Sequence, residues 1–150
     1  MSISFRKVAG AALVLVGALA AGTWFRADSA QVDDQRKRLG LSDVEKLVRT
    51  ELLPNVPGKR ITVTVVSYAP GEKSGVHHHP GSVVAYVLSG AIRSENSATG
   101  PVKVYKAGES FFEPPGSRHL ISENASAKEP ASLLAIHVAD DGAQLTTFEK

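Results

Sequence analysis

Residues 71–90 read GEKSGVHHHPGSVVAYVLSG, a run in which three consecutive histidines, His77, His78 and His79, interrupt an otherwise apolar and β-branched stretch. Gly71, Gly75, Pro80 and Gly81 mark turns around them. Side chains alternate faces along a strand, so His77 and His79 project to one side and His78 to the other. Two imidazoles on one face reach a single metal ion. A third nitrogen from a neighbouring strand completes a site suited to a divalent transition metal. A purification tag would be longer and terminal, and this run is neither.

Residues 108–124, GESFFEPPGSRHLISEN, supply the third nitrogen: His119 follows the turn Pro114-Pro115-Gly116. Both stretches run as apolar strand, turn, then strand carrying histidine. On these residues the chain resembles the cupins. Their first motif, G-x5-H-x-H-x3,4-E-x6-G, is matched by Gly71, His77, His79 and Gly90; their second, G-x5-P-x-G-x2-H-x3-N, by Gly108, Pro114, Gly116 and His119. The resemblance covers roughly residues 60–140 and implies an all-β double-stranded β-helix, a jelly-roll barrel, with a divalent transition metal (Fe, Mn, Ni or Zn) held by His77, His79 and His119. The chain departs from it twice. The first-motif glutamate falls on Val83, and the second-motif asparagine falls on Glu123, with Asn124 one step late. Glu113 ends the Phe111-Phe112 strand, where an unpartnered carboxylate would be costly to bury. It is read either as the replacement ligand and catalytic acid or base, or as a hydrogen-bond acceptor that orients a ligand imidazole. Some diketone- and thiol-cleaving dioxygenases among the cupins keep three histidines on iron, and this pattern is similar to theirs.

After Gly58 the pattern is period-two or continuous β-branched. It predicts strands at Arg60–Tyr68, Val83–Leu88, Ala91–Glu95, Val102–Lys106, Glu109–Glu113, His119–Glu123 and Ser132–Val138, with a further edge strand at Leu145–Phe148. Many short strands with evenly spaced turns imply an antiparallel sandwich or barrel. Before Pro54, Ser42 and Glu45 have capping-box spacing, and Val44, Leu47, Val48 and Leu52 form one stripe. That predicts a short amphipathic helix packed outside the barrel.

The N-terminus sets location. Arg6 and Lys7 precede the uncharged, apolar residues 8–25, VAGAALVLVGALAAGTWF. This has the form of an export signal and, as a helix, nearly the length to span a bilayer, with Trp24 at the interface. Ala18-Leu19-Ala20 and Asp28-Ser29-Ala30 are alternative cleavage points, and both a cleaved signal and an uncleaved anchor remain open. Either way the domain is exported, periplasmic or secreted, or held on the inner membrane. The organisation read from the sequence is a signal or anchor at 1–26, a linker and short helix at 27–58, and the β domain at 59–150.

Composition narrows the partners. The chain has 17 basic and 15 acidic residues. Arg6, Lys7 and Arg26 fall within residues 1–26, which hold no acid, so the remainder has 14 against 15, a net −1. Nucleic acid is therefore not an implied partner. The absence of cysteine excludes disulfides and thiolate ligands. The expected partners are a small-molecule ligand or substrate and, because sheet edges need covering, a second copy of the chain in a homodimer. His137 is read as a core or rim histidine with a hydrogen-bond partner. Arg118 is read as a surface residue, and Phe111, Phe112, Tyr86 and Tyr105 as core and pocket wall. Three functions remain open: oxygenation of a small organic compound, metal-assisted isomerisation or elimination, and non-catalytic ligand binding or sensing. No nucleophile elbow or nucleotide fingerprint competes with them.

Overall fold

The computed structural model describes residues 33–150, so the apolar segment 8–25 lies outside the described residues. A short helix, α1 (residues 33–39), precedes ten strands. These are β1 (Glu45–Leu52), β2 (Lys59–Tyr68), β3 (His77–His78), β4 (Ser82–Ser89), β5 (Ala91–Asn96), β6 (Gly100–Lys106), β7 (Ser110–Glu113), β8 (Arg118–Asn124), β9 (Ala131–Asp140) and β10 (Thr147–Phe148). They form two antiparallel five-stranded sheets, ordered β1-β2-β9-β4-β7 and β10-β3-β8-β5-β6. The expected all-β, double-sheet architecture is what the chain adopts. Each strand expected after Gly58 falls on an observed one.

Two local expectations are corrected. The helix expected from Ser42 is strand β1, which pairs with β2 from Glu45↔Val66 to Leu52↔Arg60. The apolar positions have helical spacing, but pairing along β2 overrides that local preference and leaves Val48 and Leu52 exposed. The Ser42–Glu45 contacts form all the same: Ser42 donates to Glu45 Oε2 from its backbone nitrogen at 2.8 Å and from Oγ at 2.9 Å. They brace the turn into the strand. Residues 33–39, inside the stretch read as linker, are helical instead, with an Asp34–Arg38 ion pair at 2.7 Å and a stop at Gly40 (φ 68).

Between the sheets the chemistry changes along each strand. β4 turns in Val87, Ala85 and then Val83; β9 turns in Leu133, Ala135 and then His137; β2 turns in Val66, Thr64 and then Thr62. One half of the interior is therefore an apolar core, to which Ile92 and Phe111 also belong. The other half is polar. Leu39, Ala139 and Leu145 form a second apolar cluster that closes the polar end. Polar groups enclosed between two apolar clusters must find partners or ligands.

Phase explains two further outcomes. Phe111 is buried and Tyr105 packs against the core, but Phe112 and Tyr86 face outward, which corrects their reading as pocket wall. In β8 the register slips between His119↔Asn96 and Ile121↔Glu95, leaving Leu120 as an extra residue. This bulge advances the inward phase by one, so the late Asn124 is buried and its Nδ2 donates to the carbonyls of Ala69 and Glu129.

Candidate metal centre

The polar half of the interior draws on both sheets. From one come His77 on β3, His79 just beyond it and His119 on β8, with His77 and His119 directly opposite in register. From the other comes a row across three strands, Glu113 (β7), Val83 (β4) and His137 (β9), each paired to the next. His77, His79, Glu113, His119 and His137 are all buried. His78 points the other way and is half-exposed, as alternation requires.

His77, His79 and His119 each offer a ring nitrogen, and these lie within 4.8 Å of one another. The His77 and His79 rings meet edge-on with centroids 5.0 Å apart, and the His77 and His119 rings are tilted by 56° with centroids 4.9 Å apart. Their tautomers follow from their partners. His77 Nδ1 lies 2.7 Å from the Gly75 carbonyl oxygen, and His79 Nδ1 2.8 Å from that of Leu145. A carbonyl only accepts, so each Nδ1 carries hydrogen and each Nε2 presents a lone pair. This is the outer-shell arrangement of a metal-ligating imidazole. His119 Nε2 is 2.8 Å from Ser94 Oγ. Among the described residues its Nδ1 has no hydrogen-bond partner, although Glu113 Oε2 lies 2.9 Å away, off the line of a bond. Two buried groups so close and yet unbonded fit a shared cation. The histidine nitrogens and the adjacent carboxylate together fit a divalent transition metal.

Glu113 is held in place as well as buried. Asn96 accepts from the Ala98 N–H at Oδ1, which aims its Nδ2 at Glu113 Oε2, 3.3 Å away. His79 Nε2 is 3.9 Å from Glu113 Oε1. Burial alone would raise the Glu113 pKa. The close His119, His79 and His77 rings outweigh it and hold the carboxyl below its usual range. Burial pushes His77 down to about 4 and His137 down to about 3, with His119 and His79 adding to the first and His79 to the second.

His137 is buried as expected, but among the described residues its Nε2 has no hydrogen-bond partner, and its ring stands 5.1 Å from that of His79. Arg118 lies outside, paired with Glu149. Sequence reasoning missed Ser94 and Asn96, both buried on β5 beside the histidines, and the Leu145 carbonyl that orients His79. Small polar residues at inward positions of β5 were the available signal; a backbone carbonyl leaves none.

The cavity is small: about 50 Å³ is open to the centre of a water-sized sphere, room for a few waters or a ligand of few heavy atoms. Beyond the histidines and Glu113, its wall includes Val66, Val83, Phe111 and Leu133 and, among the described residues, no arginine or lysine. Tyr68 and Ser122 share a 2.8 Å hydroxyl contact at its edge, and burial pushes the Tyr68 phenol up to about 12.

The lowered histidine values give metal-free protein a definite acid response. Unfolded histidines take up protons near pH 6.5, whereas folded His77 and His137 do so only at about 4 and 3. Between those limits the unfolded state binds more protons, so stability falls as pH drops from about 6.5 toward 4. His137→Leu is expected to flatten that slope by up to about 1.4 kcal/mol per pH unit, measured by urea unfolding of metal-free protein across this range. An unchanged slope would contradict a buried, neutral His137.

Residues 64–137 match the family described as cupin domain. Among solved structures, a cupin-like protein from Thermotoga maritima is similar at 20% identity over 70% of this chain and 74% of its own, with TM-score 0.53. An uncharacterised protein with a double-stranded β-helix domain from Klebsiella pneumoniae is similar at 27% identity over 79% and 95%, with TM-score 0.50. The DMSP lyase DddQ from Ruegeria pomeroyi is similar at 19% identity over 59% of this chain, TM-score 0.51, and the chain spans only 42% of that enzyme. No curated protein matches the chain in sequence. The family match, the double sheet and the buried histidine cluster together support membership of the cupin superfamily.

Proposed function

We propose that this is an exported metal-dependent cupin in which His77, His79 and His119 hold a divalent transition metal, Glu113 provides an acidic group beside it, and a small organic molecule is oxygenated in the cavity. The observation that carries the reading is the pair of Nδ1–H donations to the Gly75 and Leu145 carbonyls, which leave two buried lone pairs facing a third histidine. When bound, a ferrous or similar ion supplies Lewis acidity, sites for an oxygen-donor ligand and, for iron, reactivity with O₂. The chain's own part is positional. Val66, Val83, Phe111 and Leu133 keep bulk water from the bound molecule. His137 Nε2, buried without a partner, forms a hydrogen bond to it. Glu113 takes or returns a proton at Oε1 or Oε2. With no arginine or lysine among the described residues of the wall, the cavity favours compact molecules bearing at most the charge that the metal itself neutralises.

A lyase or isomerase is the second reading, favoured by the carboxylate of Glu113 lying within a hydrogen bond's length of the cluster, where it serves as a base without O₂. Oxygen uptake by metal-loaded protein against a panel of small diols, diketones and hydroxy acids tests the choice. Uptake with product supports the oxygenase, turnover without uptake supports the lyase or isomerase, and tight binding without either makes the protein a binder or sensor.

Export rests on Arg6, Lys7 and the apolar residues 8–25, which lie outside the described residues. Among the described residues no helix is long and apolar enough to cross a membrane. A reporter active only in the cytoplasm, fused after Lys150, is expected to stay silent. A bright signal would contradict export.

A further inference from the structure

The Ser42–Glu45 turn carries a carboxylate that the metal centre does not use. Glu45 opens β1 with its side chain turned inward, 7% exposed, and it lines the same cavity as Glu113 and His137. Its Oε2 takes both Ser42 donors, the backbone N–H and the Oγ hydroxyl. Bracing the turn thus occupies one oxygen and leaves Oε1, among the described residues, without a donor. Arg36 is committed elsewhere: its Nη2 donates to the Ser42 carbonyl at 3.1 Å, and among the described residues no ion pair joins it to Glu45. Tyr68 stands beside this carboxylate, two residues beyond Val66, the strand partner of Glu45. Burial gives the Tyr68 phenol its upward push, and the charges of Glu45 and Glu113 both add to it.

A carboxylate enclosed with one oxygen open is costly to hold unless a positive or donating group reaches it. Among the described residues the cavity wall holds two carboxylates and no lysine or arginine, so a bound molecule is left to supply that group. His137 points to a ligand independently: it is 2% exposed in the same wall, and its Nε2 has no partner among the described residues. The two groups are well separated. Glu45 pairs with Val66 and His137 with Thr62, on either side of β2, about 13 Å apart along the strand. Opposite ends of one small molecule can therefore meet them. We propose that Glu45 is a specificity-determining residue, and that the cavity takes a compact molecule offering oxygen donors to the metal end and a cationic nitrogen to Glu45, as a small amino acid does. The oxygen end rests on the metal-dependent reading above. The cationic end does not, because Glu45 attracts a cation with or without the metal. Two carboxylates also offset the charge of one divalent ion, which suits a zwitterion better than an anion.

Calorimetric titration of the full-length protein tests the two ends separately. n-Butylammonium is compared with n-butanol on metal-free and on zinc-loaded protein, and 4-aminobutanoate with pentanoate on zinc-loaded protein. The members of each pair match in size and differ in whether they carry the cationic nitrogen. The nitrogen-bearing member is expected to bind about ten-fold tighter in each pair, the scale of one charge-assisted hydrogen bond. Glu45→Gln keeps an acceptor for Ser42 and loses the charge. It is expected to abolish the preference while zinc affinity, pentanoate binding and near-ultraviolet circular dichroism stay unchanged. The wild-type comparison needs no variant: equal or undetectable binding of n-butylammonium and n-butanol overturns the proposal. So does a preference that survives Glu45→Gln and disappears in Glu113→Gln. Failure to load zinc while the n-butylammonium preference persists overturns the metal-dependent reading and supports the assignment of Glu45.

Discussion

Replacing Gly81 by alanine is expected to cost about 3 kcal/mol of stability and to weaken metal binding with it. Gly81 links β3 to β4. A Cβ there would fall on the Val138 carbonyl oxygen, 2.7 Å from Ala139 Cβ and 2.8 Å from Ala139 Cα. The obstruction is the backbone of β9, the middle strand of its sheet, and no side chain can rotate aside. Relief requires the link between β3 and β4 to move away from β9, a strain at or beyond the upper end of ordinary overpacking, about 1–3 kcal/mol. In a protein with about 5–15 kcal/mol in hand this is a large fraction, and it lowers the melting temperature by roughly 10–20 °C. Because His79 lies two residues earlier, the same displacement pulls one imidazole from the cluster. Thermal melts and metal titration of Gly81→Ala against wild type check both effects; a melting temperature within about 2 °C would mean that β4 and β9 approach less closely.

The second large effect concerns Glu113. If its carboxylate binds the metal directly, Glu113→Gln exchanges an anionic donor for a neutral one, and affinity is expected to fall more than 100-fold. A role confined to orienting His119 or His79 gives about 10–100-fold. The row Glu113–Val83–His137 supplies the complementary variant. Val83 is inward, 2% exposed, and stands where the cupin motif carries glutamate, one strand from Glu113. Val83→Glu in the Glu113→Gln background is therefore expected to restore most of the affinity. Competition with a chromophoric chelator measures all three proteins. Failure of the double variant to recover, alongside a mild single-variant loss, would assign Glu113 to orientation alone.

What the sequence made legible, and what it hid, divides along physical lines. The strands after Gly58 were legible because β-branched runs bounded by glycine and proline admit few other structures. His77, His79 and His119 were legible because alternation fixes which neighbours share a face. β1 was not, since the spacing of Val44, Leu47, Val48 and Leu52 is that of a helix, and only pairing with β2 makes the segment a strand. Tyr86 and Phe112 were misplaced because the continuous apolar runs VVAYVL and FF carry no phase of their own. Here the inward turn of Val83 and Glu113 sets it. The bulge at Leu120, which rescues Asn124, is a property of pairing between β5 and β8 and leaves no mark on either strand alone. His137 was seen but given the wrong environment: nothing in its local sequence tells a partnered core histidine from one left open beside His79.

The metal content of full-length, untagged protein tests the central claim most directly. After exposure to ferrous iron, manganese, nickel or zinc and exhaustive desalting, mass-spectrometric metal analysis is expected to find a single divalent ion per chain in wild type and in His78→Ala, and almost none in His119→Ala. His78 faces away from the cluster, whereas His119 stands opposite His77 and beside Glu113. Metal-free wild type after loading, loss of metal in His78→Ala, or full occupancy in His119→Ala would each contradict the account.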